Sequence, residues 1–161
     1  PPHATPTILD RRGTDLNPLD PVADRLRLLA YLWPDQPDRL ARTRTALDLA
    51  AQARPQIDRA DAADWLETRL ANPTPDPTPD ALHLVFHTVA WQYFPPATQR
   101  RALAAMEAAS RHTRLAHLSM EADGQTPGAA LTLTLWPTGE TIPLGRADFH
   151  GRWVDWQAPP P

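Results

Sequence analysis

LHLVFHTVA, residues 82–90, carries the clearest structural signal in the sequence. It is a continuous run of apolar, β-branched and aromatic residues, and it lacks the clean alternation of a strand with one face in water. Such a run is typical of an interior parallel strand that is covered on both faces. We therefore predict that residues 82–90 form a central strand of a sheet.

Helices and strands alternate along the chain on both sides of this stretch. Apolar residues at helical spacing predict helices, and short β-branched runs predict strands. Strands that alternate with helices imply right-handed crossovers and a parallel sheet. One predicted helix begins at Asp20-Pro21, and three more span about 36–53, 62–71 and 95–111. The further predicted strands span 56–59 and 115–121.

The last third of the chain has a different pattern. ALTLTLWP (130–137), TIPLGRA (141–147) and FHGRWVDW (149–156) alternate in the manner of strands, with no helix between them. The predicted fold class is α/β: a partial Rossmann-like, three-layer sheet with helical crossovers, followed by antiparallel C-terminal hairpins. A doubly wound sheet begins with a strand and a Gly-rich turn, whereas this chain begins with two helices. The missing first strand leaves an open sheet edge for an N-terminal segment or a homo-oligomer partner to cover.

Composition limits the class of protein. The 161 residues fit a single domain over 1–161, with residues 1–20 irregular and 157–161 a frayed tail. The net charge of −3 predicts no nucleic-acid partner, and the lack of an apolar run of about 18 residues predicts no membrane span. The absence of Cys and of a signal sequence favours a cytoplasmic protein. Because the chain opens without Met, we expect it to be the C-terminal portion of a longer protein.

Candidate site residues follow the predicted parallel strands, where ligands bind in open α/β sheets. His87 ends the central strand and is the candidate catalytic base, although a lone His at such a place is more often hydrogen-bonded structure than a base. Trp91 and Tyr93 come next, and they either stack on a ligand or pack over the end of the sheet. Asp61 precedes a helix and serves as its N-cap, as a carboxylate for a ligand amine, or as both.

We predict no metal site. His83 and His87 have the four-residue spacing of a helical metal pair, but on a strand they lie roughly 13 Å apart, and His117 and Glu121 fail by the same distance. Gly-rich phosphate-binding motifs and the G-x-S-x-G nucleophile motif do not occur in the sequence. A third alternative is a hydrolase that uses His87 with Asp58 or Asp61. It ranks last because the sequence offers no nucleophile for it.

Six strings distributed along the chain resemble one bacterial family, catalogued as domain of unknown function 2332. They occur in the family's order and are spread across nearly all of the chain. WPDQPDRLAR (33–42) and HGRWV (150–154) are the most specific. The six strings are RRGTDLNPLDP (11–21), LLAYLWPDQPDRLAR (28–42), DRADAADWL (58–66), LVFHTVAWQYF (84–94), LTLWPTGE (133–140) and HGRWVDW (150–156).

The resemblance implies a methyltransferase-like Rossmann fold and S-adenosylmethionine as the cofactor of a full-length parent protein. It implies that Asp15 holds the ribose hydroxyls and that Asp61 lies at the adenine amine, while His87, Trp91 and Tyr93 line the acceptor side. The family's Gly-containing upstream segment is absent here, so the chain alone is expected to bind the cofactor weakly or not at all. Two functions stay open: the C-terminal part of a methyltransferase-like protein, or a non-catalytic interaction domain that pairs through its open sheet edge.

Overall fold

The computed structural model describes residues 5–71 and 81–157. Two compact units divide the chain, Pro1–Ala62 and Ala63–Pro161, which we call unit 1 and unit 2. The predicted frayed tail and the Pro-rich segment after residue 71 lie largely outside the described residues. None of the helices in the described part has the length and hydropathy needed to cross a bilayer.

Unit 1 holds a two-stranded parallel sheet and two helices. The strands β1 (Arg12–Asp15) and β2 (Gln56–Arg59) pair in register from Arg12 opposite Gln56 to Asp15 opposite Arg59. The helices are α1 (Arg25–Ala30) and α2 (Pro37–Ala53). Pro37 stands in the first turn of α2, where its missing N–H costs nothing, and Arg54 ends the helix in a left-handed conformation with φ of 44°.

Two predictions for the first thirty residues are wrong. Residues 12–15 form a strand where irregular structure was predicted, because Arg12 is paired: its guanidinium binds both carboxylate oxygens of Asp58 on β2 at 2.7 Å. The first helix begins at Arg25 instead of Pro21. The carboxylate of Asp20 accepts the N–H groups of Val22 and Ala23, so the intervening residues form a turn.

Unit 2 contains a five-stranded mixed sheet with helices on one face. Helix α3 (Ala62–Ala71) leads into strand β3 (His83–Thr88), a 3₁₀ helix (Trp91–Tyr93), helix α4 (Pro96–Ala109) and strand β4 (Leu115–Glu121). Strands β5 (Ala129–Trp136), β6 (Glu140–Ala147) and β7 (Val154–Trp156) then form an antiparallel meander. The spatial order is β3-β4-β5-β6-β7, with β3 and β4 parallel. The mixed α/β class, the crossover helix α4 and the closing hairpins are confirmed.

The prediction that residues 82–90 form a central strand is wrong. β3 stands at the border of its sheet among the described residues, and β2 belongs to the other sheet instead of lying beside it. Burial alternates along β3, because helices cover the face that carries Val85 and His87, while Leu84 and Phe86 on the opposite face are 50% and 64% exposed. An apolar run therefore did not mean burial on both faces.

The core of unit 2 lies between its helices and the covered face of its sheet. Met106 of α4 and Leu115 of β4 are its largest fully buried side chains. Leu66 and Leu70 of α3 join them, with Trp65, Val85, Trp91, Ala105 and Trp136 packed around the cluster. This core holds β3, β4 and α4 together, and those are the elements from which the candidate site is built.

Arg146 explains how β4 turns back into β5 without a crossover helix. Its guanidinium binds both carboxylate oxygens of Asp123, at 2.9 and 3.0 Å, and also the backbone carbonyls of residues 125, 127 and 128. The Arg146 guanidinium and the N–H of Gln125 lower the pKa of Asp123 to about 2. One side chain thus binds the Asp123 carboxylate and three carbonyl groups of the loop over residues 122–128.

The core makes a stability prediction. Met106→Ala should lower the free energy of unfolding by about 2–5 kcal/mol, because it leaves a cavity among fully buried neighbours. Leu103→Ala, three residues earlier on α4 and 39% exposed, is the matched control and should cost much less. Urea denaturation at neutral pH measures both; equal losses for the two variants would contradict this placement of the core.

Candidate functional site

Two parallel strands end side by side in unit 2, and their last residues meet across the sheet. His87 is the penultimate residue of β3 and Glu121 is the last residue of β4. His87 Nδ1 lies 2.7 Å from Glu121 Oε1, and His87 Nε2 lies 2.8 Å from His117 Nε2. We call these three residues the Glu–His–His cluster. The partner that His87 lacked in the sequence is therefore Glu121, and His117 extends the chain of polar groups.

Glu121 also holds the backbone that follows β3. Its Oε1 accepts the N–H of Ala90 at 2.8 Å and the N–H of Trp91 at 3.0 Å, in addition to the His87 contact. Burial raises the pKa of this carboxyl, but the two backbone N–H groups and His87 outweigh burial, so the pKa is lowered from its ordinary value. Glu121 is thus an ionised carboxylate at neutral pH. Its Oε2 atom is buried and has no hydrogen-bond partner.

Val89 adopts a left-handed backbone conformation between the strand and these two N–H groups. Its φ is 49°, a value that a β-branched side chain rarely adopts, and its N–H still bonds the carbonyl of Met120 on β4 at 2.8 Å. Strain of this kind costs on the order of 1–3 kcal/mol and persists where the surroundings enforce it. Here the left-handed residue turns the chain so that residues 90 and 91 can both donate to Glu121.

Aromatic rings enclose the imidazole of His87. Trp91 stacks on it with the ring centroids 5.1 Å apart and the planes 17° from parallel. The His117 ring lies tilted against both, with its centroid 4.9 Å from His87 and 5.9 Å from Trp91. The His87 and Glu121 side chains are only 13% and 16% exposed. The two groups therefore interact in a partly dry environment, where hydrogen bonds to charged groups are stronger than in water.

Burial lowers the pKa of the His117 imidazole, whereas it raises the pKa of the Glu121 carboxyl. Burial, and then the nearby His87, lower the pKa of His117 to about 4. At neutral pH His117 is therefore an uncharged imidazole with one protonated and one unprotonated nitrogen. The cluster thus combines a carboxylate with a neutral base.

A row of hydroxyl groups continues from the cluster across the same face of the sheet. Ser119 lies beside His87 in the β3–β4 register, and its Oγ is 2.6 Å from Thr132 Oγ1 on β5. Thr134 lies opposite His117, and its Oγ1 is 3.1 Å from Thr141 Oγ1 on β6. These groups give the face polar character next to the imidazoles.

The predicted site residues are divided between the units. Asp15 ends β1 in unit 1, where its Oδ1 accepts the N–H of Asn17 at 2.7 Å. Asp61 also lies in unit 1, directly before α3. In unit 2, the structure brings Trp91 together with His87, whereas Tyr93 is 73% exposed and stacks on neither ring.

His117 and Glu121 were missed as partners of His87. As a metal-binding pair within one strand they were rejected, because their separation there is too large, and neither was assigned to His87. The signal that would have found them is the parallel pairing of residues 83–88 with 115–120, which brings His87 next to the end of the second strand. The two facing nitrogens are 2.8 Å apart, a hydrogen-bond distance that leaves no space for a metal ion between them. No group of three or more metal-binding side chains occurs within residues 5–71 and 81–157.

Comparison with known protein families gives a match over most of the chain. A family model described as "Uncharacterized protein conserved in bacteria (DUF2332)" matches residues 1–156. No curated protein and no solved structure matches the chain.

The lowered pKa of His117 predicts a pH dependence of stability. The unfolded chain takes up a proton at His117 near pH 6.5, whereas the folded protein takes it up only near pH 4. The stability that this group contributes is therefore present above pH 6.5 and falls as the pH drops towards 4, by at most about 1.4 kcal/mol per pH unit.

The measurement is urea unfolding at several pH values from 7 to 4. His117→Gln should have a shallower loss of stability over this range than the wild type. His112→Gln, at an exposed position, is the matched control and should retain the wild-type slope. The same slope in all three proteins would show that His117 is not held neutral by the fold.

Proposed function

The chain belongs to the uncharacterised bacterial family of domain of unknown function 2332, and on that premise we propose that it carries the proton-accepting site of a methyl-transfer enzyme. The observation that supports this most strongly is the Glu121–His87 contact of 2.7 Å at the carboxyl ends of two parallel strands. A carboxylate that fixes an imidazole at such a place is a common arrangement for general acid–base catalysis. It supplies the partner that a catalytic histidine requires.

The proposed role of the site is to remove a proton from an acceptor O–H or N–H group. Glu121 fixes the orientation of His87 and stabilises a positive charge on its imidazole, since the two atoms form a charge-assisted hydrogen bond. Trp91 holds the other side of the ring by stacking and excludes water. The hydroxyls of Ser119 and Thr132 offer hydrogen bonds to a polar acceptor molecule on the same face.

Methyl transfer is proposed because three segments of the sequence are similar to methyltransferase motifs: GTDLNP (13–18), RADA (59–62) and FHTVAWQY (86–93). S-adenosylmethionine, when bound, would supply an activated methyl group. In unit 1, Asp15 is the last residue of β1 and Asp61 follows the end of the parallel strand β2, and carboxylates there suit the hydroxyl and amine donors of a nucleoside. The fit covers the nucleoside only, because the 161 residues contain no Gly-rich turn for the rest of the cofactor.

Calorimetry on the natural gene product tests this proposal. We expect S-adenosylmethionine to bind, and Asp61→Ala to abolish the binding because it removes the carboxylate proposed to accept the adenine amine. Asp15→Ala should weaken the binding through the ribose hydroxyls. Asp38→Ala, in the exposed first turn of α2, is the control and should bind normally. No heat of binding at millimolar cofactor would remove methyl transfer as the function.

A second function is favoured by the position of β3 at the sheet border. His83 and Val89 both direct their N–H groups to the β4 side, so the alternate residues Leu84, Phe86 and Thr88 direct theirs outward. These three residues are neither charged nor proline, whereas exposed edges are commonly protected by such residues. In an antiparallel pair of two copies, Phe86 would lie opposite Phe86 of the other copy, and Leu84 would lie opposite its Thr88. As the alternative, we propose a non-catalytic domain that pairs through this edge.

Light scattering over a range of protein concentrations tests the pairing. The wild type should shift from monomer to dimer as the concentration rises. Phe86→Lys should remain monomeric, because it places two like charges opposite each other at the centre of the paired edge. Leu49→Lys, on exposed helix α2, is the control and should dimerise as the wild type does. A wild type that is monomeric at all concentrations excludes the pairing.

A further inference from the structure

Both ring nitrogens of His87 are already occupied by protein groups. Nδ1 contacts Glu121 Oε1 at 2.7 Å and Nε2 contacts His117 Nε2 at 2.8 Å. The ring of Trp91 stacks over the imidazole, and the side chain is 13% exposed. A ligand therefore has no nitrogen of His87 to bind while the Glu–His–His cluster is intact.

The order of charges along the cluster fixes where the protons are. Glu121 is ionised and can only accept, so His87 Nδ1 must carry the proton in their hydrogen bond. In the state in which His87 is uncharged, its Nε2 is unprotonated and accepts from His117. In that state the proton between the two imidazoles belongs to His117 Nε2. The Nδ1 atom of His117 is left unprotonated, with no hydrogen-bond partner in the described part of the chain.

We propose that His117 Nδ1, and not His87, is the atom that takes the proton from the acceptor group. This inference rests on the proposed function of the site and names its terminal base. When Nδ1 gains a proton, the N–H bond at His117 Nε2 breaks and one forms at His87 Nε2. His117 ends neutral with its proton on Nδ1, His87 ends as an imidazolium, and no electrons are transferred to any other group.

The environment of the two rings favours this transfer of charge. A charge that stayed on His117 would be desolvated, and burial is the largest cause that lowers the pKa of that group. After the shift along the hydrogen bond, the charge lies on the ring whose Nδ1 is 2.7 Å from the Glu121 carboxylate. His117 thus contacts the ligand, and His87 is the group that receives the charge.

Nitrogen NMR of the protein labelled at histidine tests the proton positions without any ligand or activity. We expect His87 to be the Nδ1–H tautomer and His117 to be the Nε2–H tautomer at pH 7, with the signals assigned by His87→Gln and His117→Gln. His112→Gln should leave both sets of signals unchanged. A proton on Nδ1 of His117 in the resting protein overturns the inference.

Chemical modification tests which imidazole reaches the solvent, and the wild-type protein suffices. Diethyl pyrocarbonate acylates unprotonated imidazole nitrogens, and mass spectrometry locates the product. We expect His117 to be modified and His87 to be spared, with the exposed His112 and His150 as positive controls. Modification of His87 in preference to His117 overturns the inference but leaves His87 as the base of the proposed function. Failure of cofactor binding, by contrast, would remove methyl transfer and leave the proton positions unaffected.

Discussion

One carboxylate oxygen, Glu121 Oε1, organises the end of the sheet in unit 2. It accepts three hydrogen bonds, from the His87 ring and from the backbone N–H groups of Ala90 and Trp91. These donors come from the strand beside β4 and from the turn that follows it, so a single group fixes both. Removing it would leave these partly buried donors without partners, at a cost of up to about 1–3 kcal/mol each. The left-handed conformation of Val89 is the strain that this convergence requires.

The same interaction determines what chemistry the site can perform. A carboxylate held ionised by backbone N–H groups makes the neighbouring imidazole a donor at Nδ1, and an uncharged His87 then presents its Nε2 as the acceptor towards His117. The direction of proton movement thus follows from hydrogen-bond geometry and burial. The Trp91 ring and the hydroxyl row of β4 and β5 give the site one apolar and one polar wall.

The sequence predicted which helices and strands form better than it predicted which of them lie side by side. Helices over 36–53, 62–71 and 95–111, the strand pair around His87 and His117, and the antiparallel hairpins all follow from local pattern and proline position, and they are present. The border position of β3 could not be predicted, because a run such as LHLVF has the same composition whether one or both faces are covered. The contact between His87 and Glu121 depends on the register of two strands about thirty residues apart, which no local pattern encodes. The strand that contains Arg12 was missed for the same reason, because its ionic partner Asp58 lies on another strand.

The coupling energy between Glu121 and His87 tests the central claim most directly. A double-mutant cycle with Glu121→Gln and His87→Phe, measured by urea unfolding at pH 7, isolates their interaction from the separate effects of each change. We expect a favourable coupling of about 1–3 kcal/mol, as for a hydrogen bond to a charged group in a partly buried place. A coupling within error of zero would show that the two side chains do not interact and would contradict the site described here.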